Sequence, residues 1–146
     1  MMSGEADRMK ALTLTQPWAT LVILGIKKME TRSWYPRDGH WDRLAIHAGK
    51  GWSRDDREFA DELHARGILP IPSNELPHGV VLGTVQLSGL ARSHIALRWE
   101  EATDLEQELG DYSAGRYAWL LSAPQPFAEP IPARGALGLW EWERPA

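Results

Sequence analysis

The stretch Leu24 to Trp34, LGIKKMETRSW, packs three cations, one carboxylate and a tryptophan into eleven residues of a chain whose net charge is -4. The lysines and Arg32 can supply charge to a phosphate or donors to base acceptors. Glu30 can accept from an exocyclic amine or orient a neighbouring cation, and Trp18 or Trp34 can stack a base. Together these are the means of holding a nucleotide. A plainer role competes: a carboxylate between Lys28 and Arg32 on one strand face simply neutralises them. The eight tryptophans pose the same choice. An indole near a cleft is a stacking platform, whereas most indoles fill a core.

The elements that must position these groups follow from pattern. Residues 1–9 read as a disordered leader, and Lys10 to Leu14 alternates as a short strand. Thr15 is placed to cap a helix that tolerates Pro17 in its first turn and ends at Gly25. Lys27 to Trp34 then reads as a strand, with Met29, Thr31 and Ser33 on one face and Lys28, Glu30, Arg32 and Trp34 on the other. Alternation turns Lys27 away from Glu30 and Arg32, so Lys27 is expected in the turn rather than in the strand. Arg43 to Ala48 is a second strand. Ser53 to Gly67 is an amphipathic helix capped by Ser53, with Asp55 and Asp56 at its positive N-terminus.

Three prolines make the stretch from Pro70 to Gly79 a loop. Val80 to Leu90 is a long strand whose Gly83 and Gly89 mark bulges. Leu97 to Leu109 reads as an acidic helix, and Gly115 to Ser122, Ala128 to Ala133 and Leu137 to Trp142 as terminal strands. No parallel βαβ series is visible. Short bent strands mixed with a few helices predict an α+β fold, a small, strongly curved mixed β-barrel flanked by helices.

Composition bounds the function. At 146 residues with 43% hydrophobic and 25% charged residues, the sequence predicts one globular domain, residues 10–146. No apolar run approaches the ~20 residues of a membrane span, so no membrane partner and a cytoplasmic location are expected. The absence of cysteine excludes disulfides and thiolate catalysis. The five histidines show no paired ligand spacing, so neither a metal nor another cofactor is expected. The negative net charge argues against binding nucleic acid over the whole surface, but charge is uneven. Gly25 to Arg57 carries eight Lys/Arg against five Asp/Glu, and Glu58 to the end six against thirteen. A cationic patch on an acidic body can focus an anionic ligand.

The segment LTLTQPWATLVILGIKKMETRSW, followed by LAIHAGK and IPARGALGLWEWE, resembles the ASCH (activating-signal-cointegrator homology) domain family of the PUA-like superfamily. The family pattern Gly-x-Lys-x-x-x-x-Arg falls on Gly25, Lys27 and Arg32, after a Gln-Pro-Trp helix start at Gln16, Pro17 and Trp18. The resemblance spans Lys10 to Glu143. It implies a curved barrel and a cleft that receives RNA, single-stranded nucleic acid or a modified nucleoside. Lys27, Arg32, Gln16 and Trp18 would face that cleft. His47 is then a polar member of its wall or a satisfied core histidine. Lys50 stands near its mouth or is a solvated lysine at a helix entry.

The resemblance also implies alternatives. Some small relatives look like amidohydrolases acting on N4-acetylated cytidine, and others have been regarded as ribonucleases. Lys27 and Glu30 would then be catalytic. In those amidohydrolases a threonine lies three residues after the motif lysine. Here Glu30 holds that position, and a carboxylate can act as general base to a water but not as the same nucleophile. A coactivator-type module with a protein partner, using the acidic segment Arg98 to Leu109, is a third reading.

Overall fold

The computed structural model describes residues 8–36 and 42–145. Among these residues six strands form one mixed sheet: β1 (Arg8–Leu14), β2 (Met29–Arg32), β3 (Arg43–Ala48), β4 (Val80–Arg92), β5 (Tyr117–Pro132) and β6 (Leu139–Glu143). Their order is β2-β5-β4-β3-β1-β6. The pairing leaves the sheet open, with no ladder joining β2 to β6 among the described residues, so the closed barrel expected from the bent strands is not what the pairing gives.

β1 and β3 pair in parallel, across a crossover that contains a helix, and every other pair is antiparallel. That is a single parallel pair, and no series of them forms among the described residues. β1 starts at Arg8, where the leader was expected to run to Met9, because Arg8 and Met9 pair with Glu143 and Trp142. Residues 1–7 lie outside the described residues.

Bending is concentrated in the β4–β5 ribbon, whose register shifts between Val81 and Gly83, Thr84 and Gln86, and Leu87 and Gly89. Gly83 and Gly89 mark the first and last of these shifts, as expected, and the middle one has no glycine. At Gly83 a Cβ would lie 2.3 Å from the carbonyl oxygen of Gln125, so only glycine lets the two strands approach this closely. The two strands expected around Pro124 and Pro126 are one continuous β5. Beyond Leu121 its one ladder partner is β4 and its other edge is open, which is where a strand tolerates prolines.

Among the described residues four helices accompany the sheet: α1 (Trp18–Ile23), α2 (Arg54–Ala65), α3 (Ser93–Ala96) and α4 (Asp104–Glu108). The proline loop contains one short 3-10 turn, Ser73–Glu75. The single acidic helix expected over Leu97 to Leu109 is not formed. Thr103 takes an extended conformation and its hydroxyl accepts the Glu106 N–H at 3.2 Å, starting a separate short helix.

Two apolar clusters fix the layers. Ala19, Val22 and Ile23 of α1 pack on Leu12, Ile46 and Trp119 of the sheet. On the opposite side of the helix, Leu21 joins Leu63 of α2, Leu69, Leu76 and Leu109. Burying a leucine contributes about 1.5–3 kcal/mol, so this second cluster is enough to lock α2 and the end of α4 beside the start of α1. No helix among the described residues is long and apolar enough to cross a membrane.

Candidate functional site

Between α1, α2, β2 and the segment after α4 lies an open cleft of about 550 Å³. Trp18 forms one wall. Its ring stacks on Phe59 of α2 at 5.4 Å between centroids, and its indole N–H donates to the Leu109 carbonyl at 2.9 Å. One half-buried side chain thereby ties three helices together. Pro17, not Thr15, is the cap residue of α1. Gln16 supplies the polar clamp there. Its Oε1 accepts the Thr20 N–H at 3.0 Å and its Nε2 donates to the Pro77 carbonyl at 2.9 Å. Gln16 is fully buried with both amide ends used, which removes it from the cleft where the resemblance placed it.

Gly25, at φ +75°, reverses the chain after α1, and the Lys27 N–H bonds back to Leu21. Lys27 thus precedes β2, as its alternation required, and enters the cleft floor from below. It is 1% exposed. Its Nζ lies 3.7 Å from Glu30 and 3.7 Å from Glu106, and also donates to the Met29 carbonyl. Glu106 accepts the Lys28 N–H at 2.6 Å and the Met29 N–H at 3.3 Å. It therefore fastens α4 to the first residues of β2. Burial pushes the Glu106 carboxyl above its ordinary range, against the pull of Lys27 and the two N–H donors.

Glu30 is the hinge of the charge network. Its second oxygen lies 3.1 Å from Arg32 Nε, while Arg32 Nη2 donates to the Thr13 carbonyl at 3.0 Å. Arg116 donates to the Thr31 carbonyl at 2.7 Å and pairs with Asp111 at 3.5 Å. Tyr112 stands beside this group, its hydroxyl buried without a hydrogen-bond partner. Burial, reinforced by Glu106 and Glu30, raises its pKa and keeps the phenol protonated.

Counted along the lining, Lys27, Arg32 and Arg116 face Glu30, Asp56, Glu108 and Asp111. The cleft is charge-compensated, so the cationic balance of Gly25 to Arg57 does not become a cationic cleft. Among the described residues no group of three His, Asp or Glu side chains is placed to hold a metal ion.

The structure brings Trp18, Lys27, Glu30 and Arg32 together and sends the other candidates elsewhere. Trp34 packs edge-on against Trp119 at 5.0 Å, and its carbonyl accepts the Trp119 indole N–H at 3.2 Å. It belongs to the sheet core. His47 and Lys50 line a second cavity of about 1020 Å³. The His47 ring is satisfied at both nitrogens, by Thr13 Oγ1 at 3.1 Å and the Ala133 carbonyl at 2.8 Å. Burial lowers its pKa. Lys50 is exposed at the rim.

Sequence reasoning missed Phe59, Glu106, Tyr112 and Arg116. Phe59 was legible on the apolar face of α2. Glu106 was one of four glutamates in an acidic run, and only the packing of Leu109 turns it inward. Nothing local distinguishes Tyr112 or Arg116.

The description "ASCH domain" belongs to the family model that matches residues 12–131. This chain belongs to the ASCH domain family. Activating signal cointegrator 1 of Mus musculus is 33% identical over 137 residues, covering 89% of this chain and 22% of that protein. Its Homo sapiens counterpart is 31% identical over 136 residues, with the same coverage. The chain thus spans only 22% of the curated relatives it matches. Among solved structures, an ASCH protein of Zymomonas mobilis superposes with a TM-score of 0.53 at 18% identity, over 84% of this chain and 72% of that one. A mutant form of the same protein gives the same score. The fold is that of other ASCH domains, a mixed α+β arrangement of the PUA-like kind.

Proposed function

We propose that the cleft of this ASCH domain receives one unstacked base of RNA, another single-stranded nucleic acid or a modified nucleotide. The observation that carries this is the pairing of opposite walls: the Trp18–Phe59 stack on one side, and Glu30 with Arg32 on the other. A π-face holds any base, and a carboxylate beside a guanidinium presents acceptor and donor to the edge of one. Because the cleft cations are already compensated, the cluster reads a base edge rather than a phosphate. Family membership supports the same reading.

The test is titration of the full chain with nucleosides and short single-stranded RNA, followed by tryptophan fluorescence. Trp18→Ala should weaken binding by about 1–3 kcal/mol, and Trp18→Phe should retain much of it. Wild-type affinity in a folded Trp18→Ala protein would sink the proposal.

A hydrolase reading has one observation in its favour: Lys27 within 3.7 Å of both Glu30 and Glu106, with Glu30 opening to the cleft. Glu30 could then activate a water for an amide such as N4-acetylcytidine. Release of acetate from that compound, abolished by Glu30→Gln, would establish it, and no turnover by wild-type protein would remove it. Ribonuclease activity needs the same variant on single-stranded RNA. The coactivator-type reading, suggested by the relatives' name, loses the continuous acidic helix on which it would rest.

A further inference from the structure

The second cavity differs from the cleft in chemistry. Its lining carries Lys50 and Arg134 and no carboxylate. Both cations are exposed, and neither has an ion-pair partner among the described residues. The segment Arg134 to Leu137, between β5 and β6, crosses the cavity, and its backbone N–H groups donate to no backbone carbonyl among the described residues. Leu137 is 98% exposed at the rim.

The floor beneath is rigid. Thr13 Oγ1 bonds both His47 and the indole N–H of Trp140. At Gly135 a Cβ would lie 2.7 Å from His47 Cε1 and from Thr13 Oγ1, so the segment passes directly over this floor. Gly79 allows the Lys50 stem to lie across it, since a Cβ there would meet Lys50 Cε at 2.9 Å. Free consecutive amides next to two unpaired cations form a setting for an anion with several acceptor oxygens.

The two cavities open on opposite faces of the sheet at the end of β1, where Leu14 turns toward α1 and Thr13 toward His47 and Trp140. Thr13 lines this one, Leu14 and Thr15 line the cleft, and Arg32 of the cleft bonds the Thr13 carbonyl. We infer that the cavity bounded by Lys50 and Arg134 is a phosphate site for the backbone of the strand whose base occupies the cleft. The strand's path rests on the proposed function, whereas the phosphate site stands on its own residues. The division of labour is complete: the compensated cleft takes the base, and the cationic cavity takes the charge.

The experiment uses the isotope-labelled full chain with three probes: a single-stranded oligouridylate of about six nucleotides, uridine and inorganic phosphate. The oligonucleotide should move the amide signals of Gly135, Ala136 and Leu137, and uridine should not. The double substitution Lys50→Ala with Arg134→Ala should weaken oligonucleotide binding roughly tenfold and lower the log–log salt slope by about 1.4, about 0.7 per lost phosphate contact. It should leave the melting temperature and the response to uridine unchanged. Oligonucleotide binding without movement of those amides, or wild-type affinity and slope in the double variant, overturns the inference. So does oligonucleotide binding no tighter than inorganic phosphate, which makes this a site for the free anion. Failure of uridine to perturb the Trp18 indole, with the three amides still responding to the oligonucleotide, removes the base-cleft reading and leaves the phosphate site standing.

Discussion

Lys27 and Lys50 both come from the basic stretch Gly25 to Arg57, yet the fold treats them in opposite ways. Lys27 is enclosed between Glu30 and Glu106, holding α4, β2 and the turn after α1 in one network. Lys50 lies over Gly79 at the edge of a cavity lined by no carboxylate. Charge that is fully enclosed serves architecture first, because a desolvated ion must be paired where it stands. Charge left at a rim is free for a ligand. The comparison assigns the shape of the cleft to Lys27 and the salt-dependent attraction to Lys50.

The largest test of this contrast is stability. Lys27→Ala strands the buried Glu106 carboxylate and should cost about 3–5 kcal/mol in urea unfolding. Lys50→Ala should change stability by no more than about 0.5 kcal/mol. Equal effects would erase the distinction.

A smaller effect should come from the loop over the second cavity. Gly135→Ala forces a methyl group against His47 and Thr13, and should destabilise by about 1–3 kcal/mol while displacing the free amides. Oligonucleotide affinity should fall with it, and the response to uridine should not.

Next in size is pH, where the two sites act with opposite sign. Glu106 has a raised pKa in the fold, so the native state binds more protons than the unfolded state just above the ordinary glutamate range. Stability should therefore fall as pH rises through that window, and Glu106→Gln should remove the fall. His47 has a lowered pKa. The unfolded state binds the extra proton, so stability should fall as pH drops below the ordinary histidine value of about 6.5. Ring-carbon NMR of His47 should show a midpoint below that value, and a midpoint above it would contradict the burial argument.

The smallest expected effect is on exposed ion pairs at the helix ends. Arg66 and Glu108 join α2 to the end of α4 across solvent, and Glu108→Gln should leave the urea midpoint nearly unchanged, the more so at high salt. A larger loss would mean that the cleft rim depends on surface charge after all.

Much of this architecture was legible in local sequence. Ser53 capping α2, Gly25 ending α1, and the bulges near Gly83 and Gly89 each follow from one residue's conformational chemistry. So did the displacement of Lys27 from the strand, since alternation alone put it on the wrong face. What escaped was decided at long range. Gln16 looked like a cleft residue until the Pro77 carbonyl, 61 positions away, claimed its amide. Trp34 and Trp18 carry the same indole, and only their neighbours, Trp119 for one and Phe59 for the other, separate a core ring from a cleft wall. Glu106 and its glutamate neighbours are equivalent by spacing, so the one that meets Lys27 could not be chosen without the packing of Leu109.

Trp140, whose indole holds Thr13 under the second cavity, lies on β6, the strand made after every other part of both sites. Growing from the ribosome at roughly 5–20 residues per second, a chain that has completed β1 must wait about 6–25 seconds for that indole to exist. The helices around the cleft are all synthesised earlier. Once β3 has been made, β1 has a parallel partner on one edge and, until β6 follows, an unpaired edge on the other, a template for pairing with a second nascent chain. Synthesis order alone thus gives this domain a vulnerable half-made state in which the cleft can form ahead of its neighbour.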